Sequence, residues 1–228
     1  MDTIGLLSGL IRIPSFSREE GEACDYLNKW LNDNGFPEVH RVGNNIWMES
    51  EPSGGKPTVL LNAHIDTVKP AGGYTRDPFI PSVEDGKLYG LGSNDDGGAL
   101  AALLEAYSIL ASRPQPYRLV FSATAEEEVC GKGGFDLLLP QLGKIDFGVI
   151  GEPTGMDMAV AEKGLMVLDC IARGKSGHAA RNEGVNAIYE ALKDIGWFRT
   201  YQFPRVSEYL GPVKMTVTMI ASGLMTEA

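Results

Sequence analysis

Three apolar runs of strand length, each closing on acidic residues, constrain this chain more than any other feature. Residues 58–63 lead into His64 and Asp66, residues 118–125 into Glu126-Glu127-Glu128, and residues 147–150 into Gly151-Glu152. Short runs that are apolar nearly throughout are the pattern of strands covered on both faces. In open α/β sheets, ligands sit outside the carboxyl ends of such strands, where loops from neighbouring strands converge. Residues i and i+2 of an extended chain share a face, so the His64 imidazole and the Asp66 carboxylate emerge together. A carboxylate held behind a histidine fixes the ring tautomer and raises its basicity, as a metal ligand requires. Asp95-Asp96 add a fourth acidic loop, after the glycine-rich stretch 90–94 and ahead of an Ala-rich helix expected over 98–111.

Each piece alone has a plainer account. Asp95 or Asp96 suits a helix N-cap, the triple Glu suits a solvated run, and Glu152 before Pro153 suits a turn. Together they point to a cation, because adjacent carboxylates crowd unfavourably unless one neutralises them. Carboxylates and imidazole without thiolate suit zinc, with manganese or cobalt as substitutes. The loop "GLGSNDDGG" lacks both the G-x-G-x-x-G fingerprint and a Walker lysine, and its acids would repel phosphate.

Around these runs the chain reads as alternating helices and strands. A helix over 3–13 is followed by Ser17-x-x-Glu20, a capping box for a second helix that buries Tyr26, Leu27, Trp30 and Leu31 and stops at Gly35. A strand over 39–48 breaks near Gly43-Asn44, a turn occupies 53–57, and Asp85-Gly86 sets a hairpin within 79–88. All three acid-bearing runs, 147–154 included, are expected to be buried. After Gly164 the pattern becomes strand (165–172), helix (182–198, with Ala187, Ile188, Ala191, Leu192 and Ile195 on one face) and strand (213–221). The expectation is an α/β domain over 1–163 and a smaller α+β unit over 164–228.

With 30 acidic against 20 basic residues the net charge is −10, and no basic stripe interrupts it. That excludes nucleic acid as a partner. Cys24, Cys130 and Cys170 lie far apart, which argues against a disulfide framework and a thiolate metal site. The opening residues lack a basic leader segment, and the most apolar helix carries Glu105 and is too short for a bilayer. A soluble, reducing, cytoplasmic setting without a membrane partner is expected.

The stretches "HIDTV", "YGLGSNDDGG", "AEEEV", "GEPT" and "GKSGHAARNEGVNAI" occur in the order seen in a known family. The chain resembles the zinc-dependent acetylornithine deacetylase, succinyl-diaminopimelate desuccinylase, aminoacylase and glutamate carboxypeptidase family, from the first helices to about Gly223. "LGSND" and "AEKGLMVLD" look most like the acetylornithine or succinylornithine deacetylase branch. The resemblance implies a three-layer αβα catalytic domain of zinc-peptidase type with a lid or dimerisation domain. It implies a two-zinc site in which His64 and Glu152 bind one metal, Glu128 the other, and Asp95 bridges them. Asp66 would orient His64, and Glu127 would be the general base. His178, in "SGHAA", resembles the histidine that reaches a partner subunit's site and helps hold the oxyanion, which implies a homodimer. The implied reaction is removal of an acyl group from a small N-acyl amino acid; a di- or tripeptidase or carboxypeptidase of the same family, or a non-catalytic remnant, stands as the alternative.

Two departures accompany the match. The usual Lys of the D-x-K-G-G loop is absent, and Asp96 adds negative charge there. The family also continues past this point and supplies a second metal-binding histidine, whereas residues 224–228 do not resemble that continuation. Of His40, His64 and His178, His40 has no motif around it. The chain is therefore expected to be a truncated member, lacking one imidazole. Arg181 could meet a substrate carboxylate, although an exposed ion pair is the plainer account.

Overall fold

A computed structural model describes residues 1–36, 38–50, 54–181 and 183–222. The chain divides into two compact units, Met1–Met156 and Asp157–Ala228. The first contains the helices α1 (Thr3–Ile11), α2 (Gly21–Asp33), α3 (Gly97–Ala111) and α4 (Phe135–Leu142). Its strands are β1 (His40–Val42), β2 (Asn45–Glu49), β3 (Thr58–His64), β4 (Ser82–Glu84), β5 (Lys87–Tyr89), β6 (Arg118–Thr124) and β7 (Phe147–Ile150).

Five of these strands form one mixed sheet in the order β1-β2-β6-β3-β7. β1 and β2 are antiparallel to their neighbours, while β6, β3 and β7 run parallel. The strand alternation then divides the core. Leu61, Ala63, Leu119, Phe121 and Ala123 meet Leu6, Leu27, Leu31, Leu100, Leu104 and Tyr107 from α1, α2 and α3. Leu60 and Val120 point the other way and meet Leu138 and Leu142 of α4. Successive residues of one strand face opposite sides, so the unit is a three-layer α/β/α arrangement. Leu31, fully buried at the end of α2, tests the first layer: Leu31→Ala should cost ~2–5 kcal/mol in urea melts.

The parallel ladders matter most for the site. His64 is in register with Thr124 on β6, and Asn62 with Ile150 on β7. The carboxyl ends of three strands therefore reach one edge of the sheet together.

Several sequence expectations are corrected. Ser17 and Glu20 do not form a capping box: Glu20 occupies the N-cap of α2 without a side-chain cap bond, and both side chains are engaged elsewhere. The run 147–150 is not buried, since all four β7 residues are exposed. Among the described residues β7 pairs only with β3, which leaves it an uncovered edge. α4 is a helix not anticipated from the sequence, and it carries Pro140 inside it, a residue unfavourable in a helix interior.

The second unit contains a 3-10 turn (Ala179–Arg181) and α5 (Ala187–Thr200), capped by Asn186, whose Oδ1 accepts from the Ile188 amide at 2.9 Å. α5 begins five residues after the expected start, Asn182, which lies outside the described residues, as do Ser53 and residues 223–228. No strand forms over the described residues of 165–172 or 213–221. Apolar pattern alone does not make a strand; a ladder partner must supply the backbone hydrogen bonds. The described residues of this unit show only the isolated bridges Lys175–Val185 and Ser207–Gly211. All three cysteines are free. Among the described residues, no helix is long and apolar enough to cross a membrane.

Candidate metal centre

His64 is the last residue of β3 and is 2% exposed. Its Nδ1 lies 2.9 Å from the Asp66 carbonyl oxygen and 3.4 Å from Asp66 Oδ1, so Nδ1–H donates toward Asp66. The other ring nitrogen, Nε2, is then turned to the acidic loops, 3.0 Å from Asp95 Oδ1 and 3.9 Å from Glu127 Oε2. That tautomer leaves the Nε2 lone pair of a neutral ring available to a metal.

Asp66 is fully buried and accepts three further hydrogen bonds. Ser17 Oγ donates to it at 2.7 Å, the Glu127 amide at 3.0 Å and the Glu128 amide at 3.2 Å. It thus joins the end of β3 to the turn after β6. That turn, a 3-10 turn over Glu127–Val129, is bracketed by two non-glycine residues in the left-handed region, Glu126 (φ 55°) and Cys130 (φ 46°). Such conformations cost roughly 1–3 kcal/mol and persist only where the surroundings hold them.

The third and fourth loops close around the same point. The Gly151 amide donates to the Asn62 carbonyl at 2.7 Å, bringing Glu152 beside β3. A Cβ on Gly151 would come within 2.8 Å of Asp96 Oδ2 and of Ala99 Cβ, so only glycine fits there. Asp96, at the N-cap of α3, does not cap it with its side chain. It is 1% exposed, its Oδ2 accepts from the His64 amide at 3.2 Å, and its Oδ1 has no hydrogen-bond partner.

Two sets of donor atoms result, His64–Asp95–Glu128 and His64–Glu127–Glu152, each with all its atoms within 4.8 Å of one another. One imidazole nitrogen with two carboxylate oxygens is a donor set suited to zinc, cobalt or manganese, so the residues present fit such an ion. The electrostatics agree. Burial, with the Asp95 charge beside it, raises the Glu128 carboxyl, and burial with the Glu127 charge raises Glu152. Burial pushes Asp96 up to about 7. For His64, burial opposes the charged ring, but the hydrogen bond to Asp66 and the surrounding carboxylates push it up to about 10. Burial would raise Asp66, yet bonds from His64, Ser17 and the Glu127 amide hold it below the usual carboxylate range.

These shifts give a stability profile for the metal-free protein. Asp96 and His64 hold protons more tightly when folded, so their contributions are full below their ordinary values. Those contributions fade as pH rises through about 7 and about 10. Asp66 acts oppositely and loses its contribution only in acid. The melting temperature of chelator-treated protein is therefore expected to fall by several degrees from about pH 6 to about pH 9, and a divalent cation should reverse the fall. Calorimetric scans with and without Mn2+ check this; a flat profile would contradict it.

The structure thus brings His64, Asp66, Asp95, Glu127, Glu128 and Glu152 to one sheet edge. Glu127 stands among the donor atoms in this geometry, alongside its expected role as base. His178 belongs to the second unit, where it is exposed and its Nδ1 accepts from the Ala180 amide at 3.3 Å. Arg181 ends the 3-10 turn there. His40 stacks on Trp47, ring centres 4.3 Å apart, on the antiparallel side of the sheet. Sequence reasoning missed Ser17, Glu20 and Asn45, all of which bond to the acidic loops. The S-x-x-E spacing was the available signal, and it reads as a cap.

The class that fold and site define is a three-layer α/β domain with carboxylates and one imidazole at the carboxyl ends of parallel strands, a donor set for divalent cations. The chain belongs to peptidase family M20/M25/M40, whose sequence pattern matches residues 60–218. It is 36% identical to an acetylornithine deacetylase of Pectobacterium carotovorum, over 84% of this chain and 54% of that protein. It is 29% identical to a succinyl-diaminopimelate desuccinylase of Wolbachia pipientis, over 98% of this chain and 60% of the relative. A tripeptidase structure from Staphylococcus aureus shares the fold, with a TM-score of 0.57 at 23% identity over 85% of this chain and 55% of that one. The chain spans about 60% or less of the length of these relatives.

Proposed function

We propose that this chain carries the metal-binding part of an amidohydrolase that removes an acyl group from the amine of a small amino acid. The observation that carries the reading is the pair of donor sets sharing His64, each within 4.8 Å. In this reading His64 and Glu152 would hold one ion and Glu128 a second, with Asp95 a donor available to both. When bound, the ions polarise the amide carbonyl and lower the pKa of water. Asp66 keeps the His64 tautomer, with Nε2 turned outward. The Glu127 carboxylate takes the proton from the attacking water and delivers it to the departing amine nitrogen.

Residues 164–228 serve as a lid or dimerisation domain and residues 1–163 as part of the catalytic domain, and in a homodimer His178 supplies a donor to the developing oxyanion in the partner subunit's site. The resemblance to deacetylases and desuccinylases supports an N-acyl amino acid over a peptide, and the acetylornithine type is the first candidate. Metal analysis of the purified chain, with a panel of N-acetyl and N-succinyl amino acids against dipeptides, tests this. Two equivalents of metal with turnover of an N-acyl amino acid is the expected result. Faster dipeptide hydrolysis would replace it with a peptidase reading. Absence of both metal and hydrolysis would make the chain a non-catalytic remnant.

A further inference from the structure

Glu20 is a fully buried carboxylate that the metal reading does not use. A buried carboxylate is costly unless hydrogen bonds satisfy it. A helix cap would be the ordinary reason to keep one here, but the Glu20 side chain does not cap α2. Its Oε1 accepts from the Arg18 amide at 2.5 Å and from the Glu126 amide at 3.2 Å. Its Oε2 accepts from Asn44 Nδ2 at 3.1 Å. The bond to Glu126 spans 106 residues and lands on the left-handed residue immediately before Glu127 and Glu128.

The neighbouring amides are held in the same manner. Asn45 Oδ1 accepts from the Ala125 amide at 3.0 Å, and Asp66 accepts from those of Glu127 and Glu128. Every backbone N–H from Ala125 to Glu128 is thus donated to a side chain of another element. The Glu126 side chain is also seated: its Oε2 accepts from the Gly133 amide at 3.3 Å and lies 3.8 Å from Arg18 Nε. A Cβ on Gly133 would collide with that carboxylate, and one on Gly134 with the Ala125 carbonyl. The segment bearing Glu20 is itself fixed to the strand that delivers His64. The Thr67 amide donates to the Ser15 carbonyl at 2.9 Å, and Ser17 donates to Asp66.

We infer that Glu20 is a positioning residue. Through the Glu126 amide it holds the turn after β6 in the one backbone arrangement that aims Glu127 and Glu128 at the His64 cluster. The side chain touches neither substrate nor ion; it acts through the backbone of the turn. The inference rests on the metal reading above, and the test separates the two.

Mn2+ affinity is measured by titration calorimetry on the full chain, and hydrogen exchange of the Glu126–Glu128 amides on the metal-free protein. Glu20→Ala should weaken Mn2+ binding by ~10–100-fold, the usual effect of losing a group that orients metal ligands. It should also speed exchange of the Glu126 amide. Glu20→Gln keeps an acceptor oxygen and should restore most of both. Leu31→Ala, at the far end of α2, should lower the melting temperature yet bind Mn2+ as wild type does. If Glu20→Ala does not fold, Glu20→Asp, with the charge kept and the arm shortened, should show the same losses. Unchanged Mn2+ affinity in folded Glu20→Ala or Glu20→Asp, or an equal loss in Leu31→Ala, overturns the positioning role. Unchanged exchange at Glu126 overturns the latch itself. A wild-type chain that takes up no Mn2+ overturns the metal reading, while the exchange measurement still reads the latch.

Discussion

Under the proposed amidohydrolase reading, Glu127→Gln is expected to lower hydrolysis of an N-acyl amino acid by ~10²–10⁴-fold, the range for losing a general base, while metal content stays at the wild-type level. The carboxylate sits at the mouth of the cluster, exposed, with Oε2 3.9 Å from His64 Nε2. The amide of Gln fills the same volume and keeps an acceptor oxygen, but it does not take a proton near neutral pH. The turn itself should survive, because it is held through backbone amides donated to Asp66 and Glu20 rather than through the Glu127 side chain. Steady-state kinetics together with metal analysis reads both quantities on one sample. Since Glu127 also lies among the donor atoms, loss of an equivalent of metal in the Gln variant would make it a ligand and end its assignment as base. Retained activity would do the same.

His64→Ala should reduce divalent-metal affinity by more than ~100-fold, exceeding the ~10–100-fold loss expected when only a group behind a ligand is removed. His64 is the one imidazole in either set, so the ion it would share with Glu152 should not survive dialysis. Asp66→Asn should fall in the smaller range, since it disturbs the tautomer and the anchoring of the Glu127–Glu128 turn without deleting a donor. Metal content after dialysis, with circular dichroism as a check on folding, orders the two variants. Stoichiometric metal in His64→Ala would show that the cluster is not the binding site.

Much of this centre is legible in the chain. Three of the four acidic loops follow a run that the sequence marks as a strand, and the rule that ligands gather at carboxyl ends of parallel strands needs no coordinates. The hairpin on Asp85-Gly86 and the strand break at Gly43-Asn44 are equally local, because turn chemistry is written in adjacent residues. What failed was of two kinds. Residues 165–172 and 213–221 are apolar enough to read as strands yet form no ladder among the described residues, since a strand depends on a partner remote in sequence. The run 147–150 is as apolar as its neighbours but lies at the edge of the sheet, and composition does not report position within a sheet.

The Ser17-x-x-Glu20 segment shows the division most clearly. A capping box is a local inference from spacing, and the spacing is present. The alternative acceptors and donors, Asp66 and the Glu126 amide, lie 49 and 106 residues away, and only the folded chain brings them within reach.

The amino-acid sequence by itself determined the α/β class, the order of the acid-bearing strands and the identity of the residues that end them, because those depend on hydrophobic pattern and local turn chemistry. Tertiary structure alone decided that the three strands run parallel in one register and that His64 turns Nε2 toward Asp95 and Glu127. It also decided that the four consecutive amides from Ala125 to Glu128 are held by Asn45, Glu20 and Asp66. The reason is physical: a hydrogen bond needs a partner within about 3 Å, and chain pattern alone does not specify which distant residues reach that distance.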